Sequence, residues 1–233
     1  MFAPLPAGVY PANATAAYRS SAKRAPREPL VVIPHSLSEI SGPRFGREML
    51  RGASQDLTRP AGAHGEALGQ RIIVHGRVLD EHGRPERGAL VEVWQANAAG
   101  RYVHEGDQHD APLDANFIGA GAVVTDDEGC YQFKTIEPGV YPWGNHYNAW
   151  RPKHIHFSLF GQAWATRLVT QMYFPGDPTL PLDPIFMGIS DQAARQRLVS
   201  RFDIERSEPD HAMAFQFDIV LRGARGTPWH GKP

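Results

Sequence analysis

The sequence predicts a mainly β protein, an antiparallel β-sandwich with long loops and one or two short helices. Three observations predict it. The 233 residues include 23 glycines and 20 prolines, where an average chain of this length has about 28 of the two together. Apolar residues alternate in short segments of strand length, and only one segment has helical periodicity. A content of 42% hydrophobic residues supplies a core, so the many turns belong to a folded protein and not to a disordered one.

The chain divides near residue 70. Residues 1–70 are weakly periodic and rich in proline, glycine and small residues. We interpret them as an N-terminal arm and loops that pack on the core or on a partner chain, with one short helix near residues 36–40. The strand pattern begins at residue 71, so residues 71–233 form the predicted β-sandwich domain.

Seven segments have the length and alternation of strands. They are residues 71–79, 89–96, 122–125, 130–135, 153–160, 167–174 and 213–222. Residues 80–83 predict a turn, and residues 126–129, Asp-Asp-Glu-Gly, predict a hairpin between the flanking strands. In the last strand, every second residue from Phe215 to Leu221 is apolar and falls on one face.

Residues 190–202 are the best helix candidate. Ser190 can cap the N-terminus, and Ala194, Leu198 and Phe202 recur every four residues on one side. This segment therefore predicts the main helix of the domain.

Charge and composition exclude several classes of function. With 24 basic and 25 acidic residues, the chain lacks the positive charge of a nucleic-acid-binding protein. No apolar run approaches the roughly 18 residues of a membrane span. The single cysteine, Cys130, excludes an internal disulfide and a Cys-based zinc site. The N-terminus has no early basic residues before an apolar stretch, so we expect a cytoplasmic protein.

An H-x-H pair is the first candidate for chemistry. His154 and His156 are two residues apart on a predicted strand, so both side chains point to one face and can converge on one ion. Ile155 and Phe157 point the other way, into a core. Two polar histidines on a solvent-exposed face would give the same pattern. No cysteine is near, so a metal site would need oxygen ligands or further histidines.

Tyrosines supply candidate oxygen ligands in the same part of the chain. Most tyrosines are half-buried core residues, but two phenolates would make a hard anionic pair suited to Fe(III), which deprotonates a phenol at contact distance. The five candidates between residues 100 and 175 are Tyr102, Tyr131, Tyr141, Tyr147 and Tyr173.

Three segments together resemble one known family. The first reads G-R-V-L-D-E-H-G-R-P-E-R-G-A-L-V-E-V-W at residues 76–94 and continues to G-R-Y at residues 100–102. The second is P-G-V-Y-P-W at residues 138–143, and the third is R-P-K-H-I-H-F at residues 151–157. In order and spacing they resemble the signature blocks of the intradiol ring-cleavage dioxygenases.

That resemblance implies a mononuclear non-haem Fe(III) held by Tyr102, Tyr141, His154 and His156. Tyr147 is the competing ligand, but the family places its tyrosine between prolines, which fits Tyr141. Lys153 departs from the family, where a small residue is usual, and we expect its side chain to point away from the ligands.

The resemblance also implies the catalytic groups. Arg151, which could otherwise be a surface ion-pair residue, would stabilise developing negative charge without acting as a base, and Tyr141 would accept a substrate proton. Four positions match substrate-binding residues of the family, with core packing as the other interpretation: Trp94, Trp143, Gln171 and Ile185. In the arm, Tyr18 corresponds to a residue that meets the substrate's carboxylate.

Within the family, the arm at residues 18–27 and the sequence F-Q-F-D-I-V-L-R-G at residues 215–223 look like the β chain of the protocatechuate-cleaving members. Such a chain works with a homologous α chain that lacks the iron ligands, in an (αβ)n assembly. The implied reaction inserts both atoms of O2 into protocatechuate and yields 3-carboxy-cis,cis-muconate, a step of the β-ketoadipate route of aromatic degradation.

Two other interpretations stay open at this point. One is an intradiol dioxygenase that cleaves catechol or hydroxyquinol. The other is a non-catalytic module with a transthyretin-like core, which shares the G-x-V-x-D-x-x-G-x-P pattern of residues 76–85. The sequence leaves open the roles of His104, His109, His146 and Cys130, for which we expect packing or solvent positions.

Overall fold

The computed structural model describes residues 12, 14–16, 18–26, 28, 36–37, 50, 55–59, 61–62, 64–147, 150–161 and 167–229. The helix expected near residues 36–40 lies mostly outside these ranges. The strands are β1 Arg71–Leu79, β2 Leu90–Trp94, β3 Ala120–Val124, β4 Cys130–Ile136, β5 Tyr141–Pro142, β6 Trp150–Arg151, β7 His154–Phe160, β8 Arg167–Tyr173, β9 Arg201–Glu208, β10 Ala212–Gln216 and β11 Ile219–Val220. The helices are α1 Ser21–Arg24, α2 Pro184–Met187 and α3 Gln192–Gln196, with a 3-10 helix at Leu180–Leu182.

Two sheets make up the sandwich, which confirms the predicted fold class. In the first, β1 pairs with β4 on one edge and with β10 and β11 on the other, and β9 lies beyond β10. In the second, the order is β3-β2-β7-β8, and all pairs are antiparallel. β1 pairs in parallel with β10 and β11, so the first sheet is mixed.

Apolar side chains from both sheets fill the space between them. β7 contributes Ile155, Phe157 and Leu159, all fully buried in this core. A smaller apolar cluster lies under α2 and α3 and includes Phe186 and Leu198. The sheet that contains β7 is therefore anchored on its inner face, and its outer face is available for a site.

The predicted hairpin at residues 126–129 is a turn but does not join paired strands. Asp126 Oδ1 accepts hydrogen bonds from the amides of Glu128 and Cys130, and Gly129 has a φ of +73°. The turn is local, but β3 continues into the second sheet and β4 into the first. A turn sequence fixes the reversal of the chain, not the sheet that each strand joins.

The helix predicted over residues 190–202 is wrong in extent. Only α3 is helical, and its N-cap is Asp191, whose side chain accepts from the Ala194 amide, and not Ser190. After a turn at residues 197–198 the chain is extended, because the Leu198 carbonyl and the Ser200 amide bond to the main chain of Tyr173. Phe202 lies in β9 and is half exposed.

The strand predicted over residues 213–222 is two strands. Between β10 and β11, the Asp218 side chain accepts a hydrogen bond from the Arg77 amide at 3.0 Å, where a continuous ladder would use a main-chain carbonyl. Phe217, Ile219 and Leu221 still face the core, as predicted. The alternation survives the break because the chain keeps its direction.

Candidate metal centre and active site

β7 presents both histidines on the face opposite to the core. Its outer face carries His154 and His156, whose ring centroids are 4.8 Å apart. His156 lies opposite Trp94 on β2 and stacks on that indole, with ring centroids 4.8 Å apart and an angle of 3°. Two neighbouring strands therefore fix the direction of the imidazoles.

A loop after β2 brings Tyr102 to the same point. The Tyr102 amide donates to Asp107 Oδ2 at 2.8 Å, which holds the loop. The Tyr102 hydroxyl lies 3.3 Å from His156 Nε2 and 3.5 Å from His154 Nε2. One phenol oxygen and two imidazole nitrogens thus converge.

Tyr141 completes the cluster from the short β5. Its ring meets the Tyr102 ring edge to face with centroids 5.1 Å apart, and it lies 5.5 Å from the ring of His154. Tyr147, the competing candidate, is 84% exposed and packs against His146 instead. The structure therefore brings Tyr102, Tyr141, His154 and His156 together, and it leaves Tyr147 outside.

Burial sets the protonation of this cluster. Burial, with Tyr141 as a second cause, raises the pKa of Tyr102 well above its ordinary value. Burial and then Arg151 lower the pKa of His156 to about 3, so its imidazole is neutral at pH 7. His154 Nδ1 lies 2.6 Å from the Pro152 carbonyl, which accepts a hydrogen bond from Nδ1–H, so Nε2 is the ring nitrogen that faces the cluster.

This donor set fits one hard cation. With bond lengths near 2 Å, neighbouring ligand atoms around one metal ion are roughly 3–3.5 Å apart, as are the Tyr102 hydroxyl and the two imidazole Nε2 atoms. Among the described residues, no group of three or more His, Cys, Asp or Glu is placed to hold a metal. Tyrosine oxygens are therefore the available complement to the two histidines, and they suit Fe(III) because it ionises them.

Arg151 lies beside the cluster and is fully buried. Its Nη1 is 3.5 Å from His154 Nε2, and its guanidinium lies 5.1 Å from the centre of the Trp143 ring. Burial alone would lower the pKa of Arg151, but the Asp183 carboxylate holds it above its ordinary value. A fixed positive charge therefore faces the site.

Sequence reasoning missed Asp183 behind Arg151, and it named Tyr173, the other group there, only as a candidate oxygen ligand. Asp183 is fully buried and forms an ion pair with Arg151 at 2.9 Å, and Tyr173 contacts both. Burial and the neighbouring carboxylate raise the pKa of Tyr173, so its hydroxyl stays protonated. Asp183 is 32 residues from Arg151, and its only local signal is its position before Pro184, which is typical of a helix N-cap.

A cavity of about 780 Å³ opens on the cluster. Of the predicted residues it exposes Trp94, Tyr102, Tyr141, Trp143 and His156. Polar and apolar side chains of the loop after β2, among them His104 and His109, line its other side, so these two histidines belong to the cavity wall.

The other predicted substrate-binding residues occupy different places. The Gln171 amide lies 3.2 Å from His156 Nδ1, behind the imidazole. Tyr18 packs its ring on Trp143 at 5.2 Å. Ile185 is in α2, outside the residues that line the cavity, and its amide bonds to Asp183. His146 is buried beneath Tyr147, and Cys130 is a half-buried thiol.

Lys153 lies outside the cluster. Its ammonium binds Glu137 Oε1 at 2.7 Å, and its amide donates to Asp177 Oδ2 at 2.9 Å. The departure from the family at this position is therefore taken up by a local ion pair.

Comparison with known proteins gives the family. A family model described as "Dioxygenase" matches residues 40–223, and one described as "Protocatechuate 3,4-dioxygenase beta subunit N terminal" matches residues 3–36. The chain belongs to the intradiol ring-cleavage dioxygenase family. It is thus an intradiol dioxygenase, as the sequence motifs predicted.

Three relatives of this intradiol dioxygenase are informative. It is 59% identical to the protocatechuate 3,4-dioxygenase beta chain of Burkholderia cepacia, over 94% of this chain and 93% of that one. It is 29% identical to the protocatechuate 3,4-dioxygenase alpha chain of Pseudomonas putida, over 84% and 95%. The structure of hydroxyquinol 1,2-dioxygenase from Pseudomonas putida DLL-E4 superposes with a TM-score of 0.52 at 28% identity, over 77% of this chain and 64% of that one.

Proposed function

We propose that this chain is the iron-bearing β subunit of a protocatechuate 3,4-dioxygenase. It inserts both atoms of O2 into protocatechuate, between the two hydroxylated carbons, and forms 3-carboxy-cis,cis-muconate in the β-ketoadipate route. The convergence of two tyrosines and two histidines on one point carries this proposal. The Burkholderia beta chain, which is similar over almost its whole length, supports the choice of substrate over catechol or hydroxyquinol.

In this proposal Tyr102, Tyr141, His154 and His156 hold a mononuclear Fe(III). Bound Fe(III) supplies Lewis acidity, which makes the hydroxyls of a catechol acidic and its ring reactive toward O2. The His156 imidazole is neutral and needs no deprotonation to bind, and His154 presents Nε2 to the same point because its Nδ1 is held by the Pro152 carbonyl. Burial raises the pKa of Tyr102, so this oxygen donor needs the cation to ionise.

The chain's own residues handle the protons and charge of the substrate. Tyr141 borders the cavity, so its phenolate oxygen can accept a proton from a substrate hydroxyl. The buried guanidinium of Arg151 cannot act as a base and stabilises negative charge that develops on the ring and its oxygens. Trp94 and Trp143 form apolar walls that exclude water from the ring.

Tyr18, Gln171 and Ile185 complete the proposed substrate site less directly. Tyr18 meets the substrate's carboxylate, Gln171 supports His156 from behind, and Ile185, outside the cavity lining, acts from α2 through its amide bond to Asp183.

We also propose that a homologous α chain without iron ligands joins this chain in an (αβ)n assembly. Exposed apolar side chains such as Val103 and Ile118 at the rim of the cavity support a partner there. Residues 1–70 are, in the same proposal, an arm that packs on the core or on that partner. Among the described residues, no helix is long and apolar enough to cross a membrane, and a cytoplasmic location belongs to the proposal.

The purified complex tests this proposal. Tyrosinate bound to Fe(III) absorbs visible light, so the complex should be red and should contain about one iron per β chain. Tyr141→Phe should change the visible band and slow turnover, whereas Tyr147→Phe, the matched control on an exposed tyrosine, should leave both unchanged. A colourless zinc protein would refute the proposal.

Substrate choice needs a separate measurement. Oxygen uptake with protocatechuate, catechol and hydroxyquinol, for the chain alone and with the α chain, ranks the substrates. Faster cleavage of catechol or hydroxyquinol would favour a catechol or hydroxyquinol dioxygenase instead. The structural similarity to hydroxyquinol 1,2-dioxygenase makes this the second candidate. No cleavage of any of them, without bound iron, would favour a non-catalytic module.

A further inference from the structure

Behind the site is a buried polar group with no assigned role, Asp183. Its side chain is fully buried. A carboxylate is costly to bury without strong partners, and this one has three: the guanidinium of Arg151, the hydroxyl of Tyr173 and the amide of Ile185. All three partners belong to the protein, so the Asp183 carboxylate is part of a buried hydrogen-bond network.

The Asp183 carboxylate forms a bidentate contact with one edge of the Arg151 guanidinium. Asp183 Oδ1 accepts from Arg151 Nε at 3.2 Å, and Oδ2 accepts from Nη2 at 2.9 Å. This two-point contact fixes the rotation of the guanidinium as well as its charge. Nη2 also donates to Gln171 Oε1 at 2.8 Å, so its hydrogens are used on that side.

The opposite edge therefore faces the cluster. Arg151 Nη1 is the nitrogen that lies 3.5 Å from His154 Nε2. A carboxylate placed elsewhere would neutralise the same charge, but it would turn a different edge of the guanidinium toward the cluster. Asp183 is also the N-cap of α2 through the Ile185 amide, so one carboxylate ties the position of Arg151 to that of α2.

We propose that Asp183 is a positioning residue that aims Arg151 at the reacting substrate. This proposal rests on the proposed function, because the effect of the orientation of Arg151 is measured as the rate of protocatechuate cleavage. It assigns Asp183 no contact with substrate or metal.

The test uses the full-length chain, co-expressed with the α chain and loaded with iron. Asp183→Asn keeps the size of the side chain and removes its charge. We expect kcat with protocatechuate to fall on the order of 100-fold, since a misplacement of about 1 Å has that effect, while iron content stays that of the wild type. Asp191→Asn is the matched control, because Asp191 caps α3 in the same way without touching Arg151, and it should keep the wild-type kcat.

Two further variants separate positioning from structure and from charge. In an Arg151→Lys background the side chain has no planar guanidinium whose orientation Asp183 could fix. Asp183→Asn should therefore cause little additional loss of kcat there. An equal loss in both backgrounds would overturn the proposal. Asp183→Glu keeps the charge but shifts the carboxylate by one methylene, so a wild-type kcat there would also overturn it.

A crystal structure and a second, milder variant keep the proposal testable if Asp183→Asn is inactive or does not fold. A crystal structure of metal-free Asp183→Asn should show Arg151 displaced from Trp143, and an unmoved guanidinium would overturn the proposal even if the wild type cleaves no protocatechuate. If circular dichroism shows Asp183→Asn unfolded, Tyr173→Phe removes the hydroxyl that supports the same carboxylate. A wild-type kcat in that variant would likewise count against the role of Asp183.

Discussion

Gly100 lies where the loop that carries Tyr102 touches the segment that carries Tyr141. Its φ is +78°, and a Cβ there would be 2.1 Å from the Val140 carbonyl oxygen and 3.4 Å from the Cβ of Tyr141. Glycine alone combines this conformation with the absence of a side chain. The edge-to-face contact of the two tyrosines therefore depends on this position.

Gly100→Ala should destabilise the protein and disturb the proposed iron site. Gly83→Ala is the matched control, because Gly83 has a φ of +80° but no neighbour within 4 Å of its added Cβ. The control should lose about 1–2 kcal/mol of unfolding free energy from backbone strain alone, and Gly100→Ala should lose clearly more. Urea unfolding and iron analysis measure both effects, and equal losses with unchanged iron would contradict this account.

The side chains of the cluster could be named from the sequence because each belongs to a short local pattern. Tyr102 follows a glycine turn, Tyr141 stands between prolines, and His154 and His156 alternate on one strand. The contacts of Asp183 and Tyr173 with Arg151 could not be predicted, because these residues reach it from 32 and 22 residues away. No local pattern encodes a contact that only the packing of β8 and α2 against β6 creates.

At the scale of elements, β7 divides its two faces between core and site. Phe157 is fully buried between the sheets, and its neighbour His156 faces the cavity. In the metal-free protein, Phe157→Ala should lower the free energy of unfolding by about 3–5 kcal/mol, because it leaves a cavity in the core. His156→Ala should cost much less stability but should abolish iron binding. Chemical unfolding of the metal-free variants checks this, and equal costs would contradict the division.

The elements that sequence analysis placed wrongly share one cause. Residues 198–202 have helical periodicity, yet the Leu198 carbonyl and the Ser200 amide bond to the main chain of Tyr173, and residues 201–202 pair with β10. The strands β3 and β4 flank a clear turn but join different sheets. Local periodicity and turn chemistry predict an element, whereas the partner that completes its hydrogen bonds lies far away in the sequence.

A histidine in the first sheet predicts how stability depends on pH. His75 on β1 is buried, and its Nε2 lies 3.1 Å from Asp203 Oδ2 on β9 without hydrogen-bond geometry. Burial, and next Arg206, lower the pKa of His75 from 6.5, against the opposing effect of Asp203.

Below about pH 6.5 the unfolded chain therefore takes up a proton that folded His75 does not, so stability is full above this pH and falls as the pH decreases. The free energy of unfolding should decrease less steeply between pH 7 and pH 5.5 in His75→Gln than in the wild type, by up to about 1.4 kcal/mol per pH unit. Urea titrations across this range measure the slopes, and parallel slopes would refute the assignment to His75.

At the scale of the whole molecule, the N-terminal segment connects to the catalytic side of the sandwich. Tyr18 packs on Trp143, whose ring faces the guanidinium of Arg151 at 5.1 Å. The Arg19 amide donates to the Asn145 carbonyl at 2.7 Å and holds the segment against the same loop. Residues more than 120 positions apart thus build one wall, behind which Asp183 fixes Arg151.

This arrangement predicts that Tyr18 affects substrate binding more than stability. Tyr18→Ala should raise KM for protocatechuate about tenfold, the equivalent of one lost hydrogen bond to a charged group, with a nearly unchanged unfolding midpoint. Lys23→Ala, an exposed position in α1 of the same segment, is the control and should leave KM unchanged.

Tyr18→Phe keeps the ring against Trp143 and loses only the hydroxyl, so a tenfold rise in KM for protocatechuate in this variant too would assign the effect to the substrate's carboxylate. Catechol has no carboxylate, so its KM should then stay constant in Tyr18→Phe, and a parallel rise for catechol would instead mean that the ring acts by holding Trp143 in place.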